Sequence, residues 1–139
     1  MQKTSDIDFG MCSEKIVEPM ITEHFHHEVS NTKLTRGKYC PYDYESKDLK
    51  TRYELKSRKN KHSQFPTILI SQSKITKGIK GCDKLILLFL FTDGLYYIQY
   101  DELTFSVFDI GAFSRYRDGK DENDTVVHIP IKNLTRIDL

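Results

Sequence analysis

Apolar and polar positions along the chain change period several times, and each change predicts an element. Between residues 13 and 28, Ile16, Val17, Met20, Ile21 and Phe25 recur at three- and four-residue spacing, which predicts an amphipathic helix with Ser13 as its cap. Pro19 interrupts that pattern; lacking a backbone donor, it predicts a kink or a true start at Glu18. Asn31 to Gly37 reads as a polar connection. The period then becomes two: Tyr42 and Tyr44, and later Tyr53 and Leu55, alternate with polar neighbours. This predicts strands over Tyr39–Tyr44 and Leu49–Arg58, with the polar stretch Glu45 to Asp48 turning between them. A basic loop from Lys59 to Gln64 leads to a third strand at Thr67–Ser71, then a short helix or turn at Gln72–Ile79 that Gly78 and Gly81 bring to an end. Leu85–Thr92 and Leu95–Tyr100 flank Asp93-Gly94, the strongest hairpin signal in the chain. Thr104–Ile110 is expected to be a further β segment, Arg115–Asp124 a polar loop and Val126–Ile131 the last strand.

This order of helix, strands, short helical piece and further strands indicates an α/β fold. At 139 residues, with no repeat or break in composition, the chain is expected to form a single domain over residues 1–139. The apolar run Leu85–Phe91 falls well short of the roughly 20 residues that span a bilayer, so it reads as a buried central strand and no membrane contact is expected. Cys12, Cys40 and Cys82 form no CxxC pair, and an odd count argues against a secreted disulfide scaffold. With no signal peptide visible, an intracellular setting, cytoplasm or nucleus, is expected. The formal net charge of +1 says nothing for a polyanion, but its distribution does. Lysines and arginines crowd the segment from Lys47 to Lys84, and acids dominate from Asp93 to Asp124. Such a basic segment suits a phosphate backbone, although charge runs are commonly no more than solvated faces.

The chemistry concentrates where that segment begins. Side chains alternate faces along a strand, so Glu54, Lys56 and Arg58 share one side while Tyr53 and Leu55 share the other. Should the two strands pair as a hairpin, Asp43 and Glu54 converge with Lys56 beside them. Two converging carboxylates repel without a cation between them, and hard carboxylate oxygens suit Mg²⁺ or Mn²⁺. Taken alone, Glu54 and Lys56 would be an ordinary exposed strand pair worth about 0–1 kcal/mol; the preceding Asp43, the strand alternation, the upstream helix and the basic stretch raise the signal, and together with the family resemblance given below they outweigh that reading. His24 and His27 lie three residues apart but lack a third ligand, which favours a solvated helix end over a transition-metal site. The tyrosines could stack on unpaired bases, but their alternation in strands makes packing the default. No Gly-x-Ser-x-Gly, glycine-rich phosphate loop or His-Glu-x-x-His is present, so serine hydrolase, nucleotide triphosphatase and zinc protease chemistry find no support.

Over residues 13 to 92 these features resemble the PD-(D/E)XK nuclease superfamily, which includes restriction endonucleases, Holliday-junction resolvases and small viral or phage nucleases. The resemblance implies a restriction-endonuclease-like core: an N-terminal helix, a mixed sheet with a short helical segment, and additional C-terminal strands. It assigns the family aspartate to Asp43, the acid of the triplet to Glu54 and its lysine to Lys56. It adds the Leu55 carbonyl as a third metal ligand, and Glu14, with Glu18 as competitor, as the acid of the first helix. The chain departs from the pattern at Pro41-Tyr42-Asp43, where one residue separates the proline from the aspartate. The implied activity is Mg²⁺- or Mn²⁺-dependent hydrolysis of phosphodiesters in DNA, with branched or otherwise structured DNA the best guess. Arg58, Lys59 and Lys61 are expected to contact the backbone, and Lys74, with Gln72 and Ser73, to add phosphate contacts. Relatives that cut two strands commonly pair as homodimers. Two alternatives remain open: a catalytically silent nucleic-acid-binding or assembly module, and a related RNA endonuclease of the viral cap-cleaving kind.

Overall fold

A computed structural model of the chain describes residues 15–117 and 119–138; for residues 113, 115–117 and 120–123 it describes the backbone path alone. Ser13 and Glu14 lie outside the described residues. The first helix, α1, is described over residues 15–25, and Pro19 sits exposed within it without ending it. Its end comes earlier than the sequence pattern predicts, because His26 adopts a left-handed φ of 58° that the helix cannot continue through. Strand β1, Val29–Asn31, follows directly, and helix α2, Thr32–Thr35, occupies what reads as a polar connection. The Asn31 side chain caps α2 by accepting from the Leu34 N–H at 3.3 Å.

Strand β2 spans Tyr44–Ser46 and β3 spans Thr51–Ser57, so the expected strand over Tyr39–Tyr44 is shifted toward the C-terminus. Glu45 and Ser46 belong to the strand rather than to the turn. The turn sits at residues 47–49, where Asp48 Oδ1 accepts from Ser46 Oγ at 2.6 Å and from the Lys50 N–H at 3.0 Å, while Leu49 takes a φ of 64°. Asp48 thus closes a turn that starts two residues later than the sequence pattern predicts. Strand β4, Thr67–Ser71, and helix α3, Gln72–Ile79, match their predicted bounds. Gly78 lies inside α3, against the Leu85 side chain, and Gly81, at φ 81°, follows it. Strands β5, Lys84–Phe91, and β6, Gly94–Gln99, form the expected hairpin.

Two expectations fail beyond that hairpin. The segment read as β over Thr104–Ile110 begins instead with helix α4, Glu102–Ser106, because Asp101 Oδ2 accepts from both the N–H and the Oγ1 of Thr104 at 2.8 Å. The polar stretch read as a loop over Arg115–Asp124 is the end of a long hairpin between β7, Asp109–Arg117, and β8, Lys120–Pro130. A final strand, β9, Thr135–Arg136, pairs with β6.

Among the described residues the strands make two sheets. The larger is mixed, in the order β1-β2-β3-β5-β6-β9, with β3 and β5 parallel and the other neighbours antiparallel. The smaller is antiparallel, in the order β4-β8-β7. Strand β5 shows how the layers stack. Leu85, Leu87, Phe89 and Phe91 pack with Ile68 and Ile70 of β4, Ile75 of α3 and Ile129 of β8. Ile86 and Leu88 pack on the opposite side with Val17 and Ile21 of α1 and with Tyr53. A strand covered on both faces needs an unbroken apolar run, which is why this one does not alternate. No helix of the described residues is long and apolar enough to cross a membrane. The architecture is α/β, consistent with a restriction-endonuclease-like core.

Candidate active site

Strand β3 lies beside β5 in parallel register, Tyr53 opposite Ile86 and Glu54 opposite Leu87. Tyr53 therefore joins the α1 layer, and Glu54 turns toward the smaller sheet and α3. In an otherwise apolar interlayer, Glu54 is 4% exposed. The predicted division of faces holds, with one difference from an open strand face: both sides of β3 are covered.

Asp43 reaches the same place from the residue just before β2. Its N–H donates to the Tyr53 carbonyl and its carbonyl accepts from the Thr32 N–H, both at 2.9 Å, which fixes the backbone at the head of the hairpin. Asp43 Oδ2 accepts from the Leu55 N–H at 2.8 Å, so the aspartate is locked against the triplet itself. The expected convergence of Asp43 and Glu54 is present.

The electrostatics of this pair are strained. Burial, followed by the Asp43 charge, pushes the Glu54 carboxyl up to about 7, against the lowering effect of Lys74, Lys56 and Lys33. The cations stand too far off to satisfy the pair by hydrogen bonding: Lys74 Nζ is 3.8 Å from Glu54 Oε1, and Lys33 Nζ is 3.9 Å from Asp43 Oδ1. Glu54 Oε2 is buried with no hydrogen-bond partner. An acceptor-only oxygen in that state costs free energy unless something positive meets it. A divalent ion ligated by Asp43, Glu54 and the Leu55 carbonyl fits this donor set, which is entirely hard oxygen. Among the described residues no group of three or more His, Cys, Asp or Glu side chains converges.

Lys56, next on the same face, has its ammonium pKa lowered, chiefly by burial and further by Lys74 and Arg58, while Glu54 and Asp43 raise it. Lys56 and Arg58 line a cleft of about 380 Å³ with Ser73 and Lys74 of α3 and with Asp124 of β8. Lys74, expected to touch phosphate, thus reaches the carboxylates and the cleft together. Lys59 and Lys61 are exposed on the following loop and do not line it. Glu18 stands on α1, which packs on the Tyr53 side of the sheet, away from the face that carries Glu54. His24 and His27 serve packing: the His24 ring meets Phe25 and Tyr97 edge-on, and His27 Nε2 is 2.5 Å from the Tyr53 hydroxyl. Tyr44, Tyr53 and Tyr96 are buried, in keeping with the packing default.

Beside the site lies a charged cluster that sequence reasoning missed. Glu45, 3% exposed, pairs with Arg36 Nη2 at 2.7 Å and with Arg52 Nε at 3.4 Å. Arg52 also donates to the Gly78 carbonyl at 3.1 Å and the Lys80 carbonyl at 2.5 Å, and its guanidinium lies over the Tyr42 ring at 4.3 Å. The cluster ties α2, β2 and β3 to the end of α3, and so braces the two elements that carry Glu54 and Lys74. Lys33 was missed as well; its amine donates to the Cys40 carbonyl.

A family model described as "Phage putative PDDEXK endonuclease" matches residues 4–137. No curated protein and no solved structure matches the chain.

Proposed function

The chain belongs to the phage PDDEXK endonuclease family, and from that premise we propose that it is a Mg²⁺- or Mn²⁺-dependent endonuclease hydrolysing phosphodiester bonds in DNA at Asp43, Glu54 and Lys56. The observation that carries this reading is the buried, partnerless Oε2 of Glu54 facing a second carboxylate. A structural ion-pair network would have closed that oxygen with a donor; a metal site leaves it open for the ion.

Asp43, Glu54 and the Leu55 carbonyl would hold the ion. Once bound, a divalent cation polarises a phosphoryl oxygen and lowers the pKa of the attacking water. The protein's own groups supply the rest. The Leu55 N–H keeps one Asp43 oxygen fixed, so the carboxylate does not have to be ordered at the moment of binding. Lys56, with its pKa lowered, spends more time neutral at working pH than a free lysine, which suits it to take a proton from water. When protonated, it offsets charge building on the phosphate. Lys74 and Arg58 flank the cleft and position the backbone without reading sequence. Glu14, outside the described residues, is the acid of the first helix that the family pattern implies.

Contacts of the backbone type favour recognition by shape, and branched or otherwise structured DNA is the proposed substrate. The test is to incubate the protein with supercoiled plasmid, four-way junction DNA and single-stranded RNA in Mg²⁺, Mn²⁺ or EDTA, beside Glu54→Ala and Lys56→Ala. The expected result is metal-dependent cutting, strongest on the junction and lost in both variants. Survival of every substrate in both metals by a folded protein would instead make the chain a silent binding module, and preferential cutting of RNA would make it a ribonuclease.

A further inference from the structure

The cleft at Lys56 continues past Arg58 and Leu69 into a second, larger one of about 490 Å³. The lining changes character along the way. The first cleft is cationic, whereas the second is walled by Phe65, Pro66, Ile68 and Phe91, with Asn60 and His62 as polar groups. Its volume is that of a small-molecule pocket, too small for a duplex.

Its walls are held in place by bonds between segments distant in sequence. The Arg58 N–H donates to the Leu90 carbonyl at 2.8 Å, and the Thr92 N–H to the Asn60 carbonyl at 3.1 Å. The His62 N–H donates to Asp93 Oδ1 at 2.9 Å, and the His62 ring stacks on Tyr96 at 4.0 Å between centroids and 7° between planes. The Ile131 N–H closes the far side on the Pro66 carbonyl at 3.1 Å. Within this fixed frame Phe65 is 54% exposed. A loop anchored at so many points has the means to turn a phenyl ring inward, yet this one keeps it at the mouth of an apolar cleft.

A nucleotide has the complementary division, an anionic phosphate and an apolar planar base. Resting on the nuclease reading above, we infer that the second cleft receives one unpaired nucleobase of a DNA strand whose phosphates pass Lys56 and Arg58. Phe65 offers the stacking surface, Arg58 stands at the seam between phosphate and base, and the Asn60 side-chain oxygen supplies a polar contact to the base edge, while His62, bonded through its ring to the Ile131 carbonyl and Ser63 Oγ at 3.1 Å each, is part of the wall. A base can enter only when it has left its stack, so the cleft selects single-stranded or distorted DNA over regular duplex.

The test measures binding in EDTA, where no cutting occurs, so it is separate from catalysis. Dissociation constants are compared for the full chain and its Phe65→Ala and Phe65→Tyr variants, on a single-stranded oligonucleotide and on the same sequence as blunt duplex. A 2-aminopurine in the single strand reports base stacking by fluorescence quenching. The expected result is at least a tenfold loss of single-strand affinity and of quenching in Phe65→Ala, retention in Phe65→Tyr, and less than a twofold change on duplex. Equal effects on both DNAs, or none, would overturn the base cleft. Metal-dependent cutting with Phe65 indifferent would sink this inference alone, whereas Phe65-dependent binding without any cutting would sink the nuclease reading alone.

Discussion

Glu54 carries the account at the scale of the single residue. Because burial and Asp43 push its carboxyl up to about 7, the folded protein keeps a proton that the unfolded chain releases near the ordinary value of 4.5. The associated stability is full below about pH 4.5 and is lost as the pH rises through about 7. In EDTA the melting temperature is therefore expected to fall between pH 5 and 8, by the equivalent of on the order of 2–3 kcal/mol, and Glu54→Gln is expected to flatten that fall. A curve that descends equally in the variant would place the titration elsewhere. Adding Mn²⁺ at pH 8 to a hundred times its dissociation constant should restore about 2.7 kcal/mol to the wild type and nothing to Glu54→Gln, read from the same melts. Lys56→Ala should lower the cleavage rate by at least about 10²-fold while leaving Mn²⁺ binding in place, since its role lies in proton transfer and charge rather than ligation. The shared face of Glu54 and Lys56 was legible in the sequence because alternation decides which side chains of one strand lie together, and the approach of Asp43 followed from the pairing expected between the two strands. Glu45 was not: its burial depends on Arg36 and Arg52, and nothing local to a polar tetrad that reads as a turn announces partners so far away.

Elements differ in how locally they are determined, and the hits and misses follow from that. The Asp93-Gly94 hairpin and the β4–α3 unit came through because turn residues and periodicity sit inside the segments themselves. Helix α4 was misread because Thr104, Phe105 and Val107 favour strands, whereas Asp101 caps the segment as a helix and Phe105 and Phe108, three apart, are its buried positions. Asp101→Ala should accordingly lower the urea midpoint of unfolding and leave cleavage unchanged. The β7–β8 hairpin carried a signal of its own, the Asp118-Gly119 pair in the sequence, which the polar residues around it obscured. The brace at Glu45 makes a larger claim. Glu45→Ala leaves Arg52 at the junction of β3 and α3 without its carboxylate, and breaking a buried pair from one side should cost about 3–5 kcal/mol. A loss under 1 kcal/mol would reduce the cluster to surface charge.

For the whole molecule, the mixed sheet was legible, but its division from a second sheet was not. Thr67–Ser71 reads the same whichever sheet it enters, and its pairing with β8, more than fifty residues on, is a long-range choice that periodicity does not encode. That choice matters for function, since β4, α3 and β8 form the wall facing Lys56 and Arg58. With a net charge of only +1, the proposed affinity for DNA would have to come from the local concentration of cations at Lys56, Arg58 and Lys74, and it should fall steeply with salt. Lys74→Ala is expected to weaken binding about equally on all DNA sequences and to reduce the slope of log affinity against log salt by roughly one; an unchanged slope would remove Lys74 from the phosphate path. The most direct test of the central claim is conversion of supercoiled plasmid in Mn²⁺ by the wild-type chain and by Glu54→Gln, which keeps the side-chain shape and removes the charge. Nicked or linear product is expected from the first and none from the second, with both proteins folded and both retaining plasmid binding. Equal conversion by the two would show that the buried carboxylate pair of Asp43 and Glu54 is not where the phosphodiester is cut.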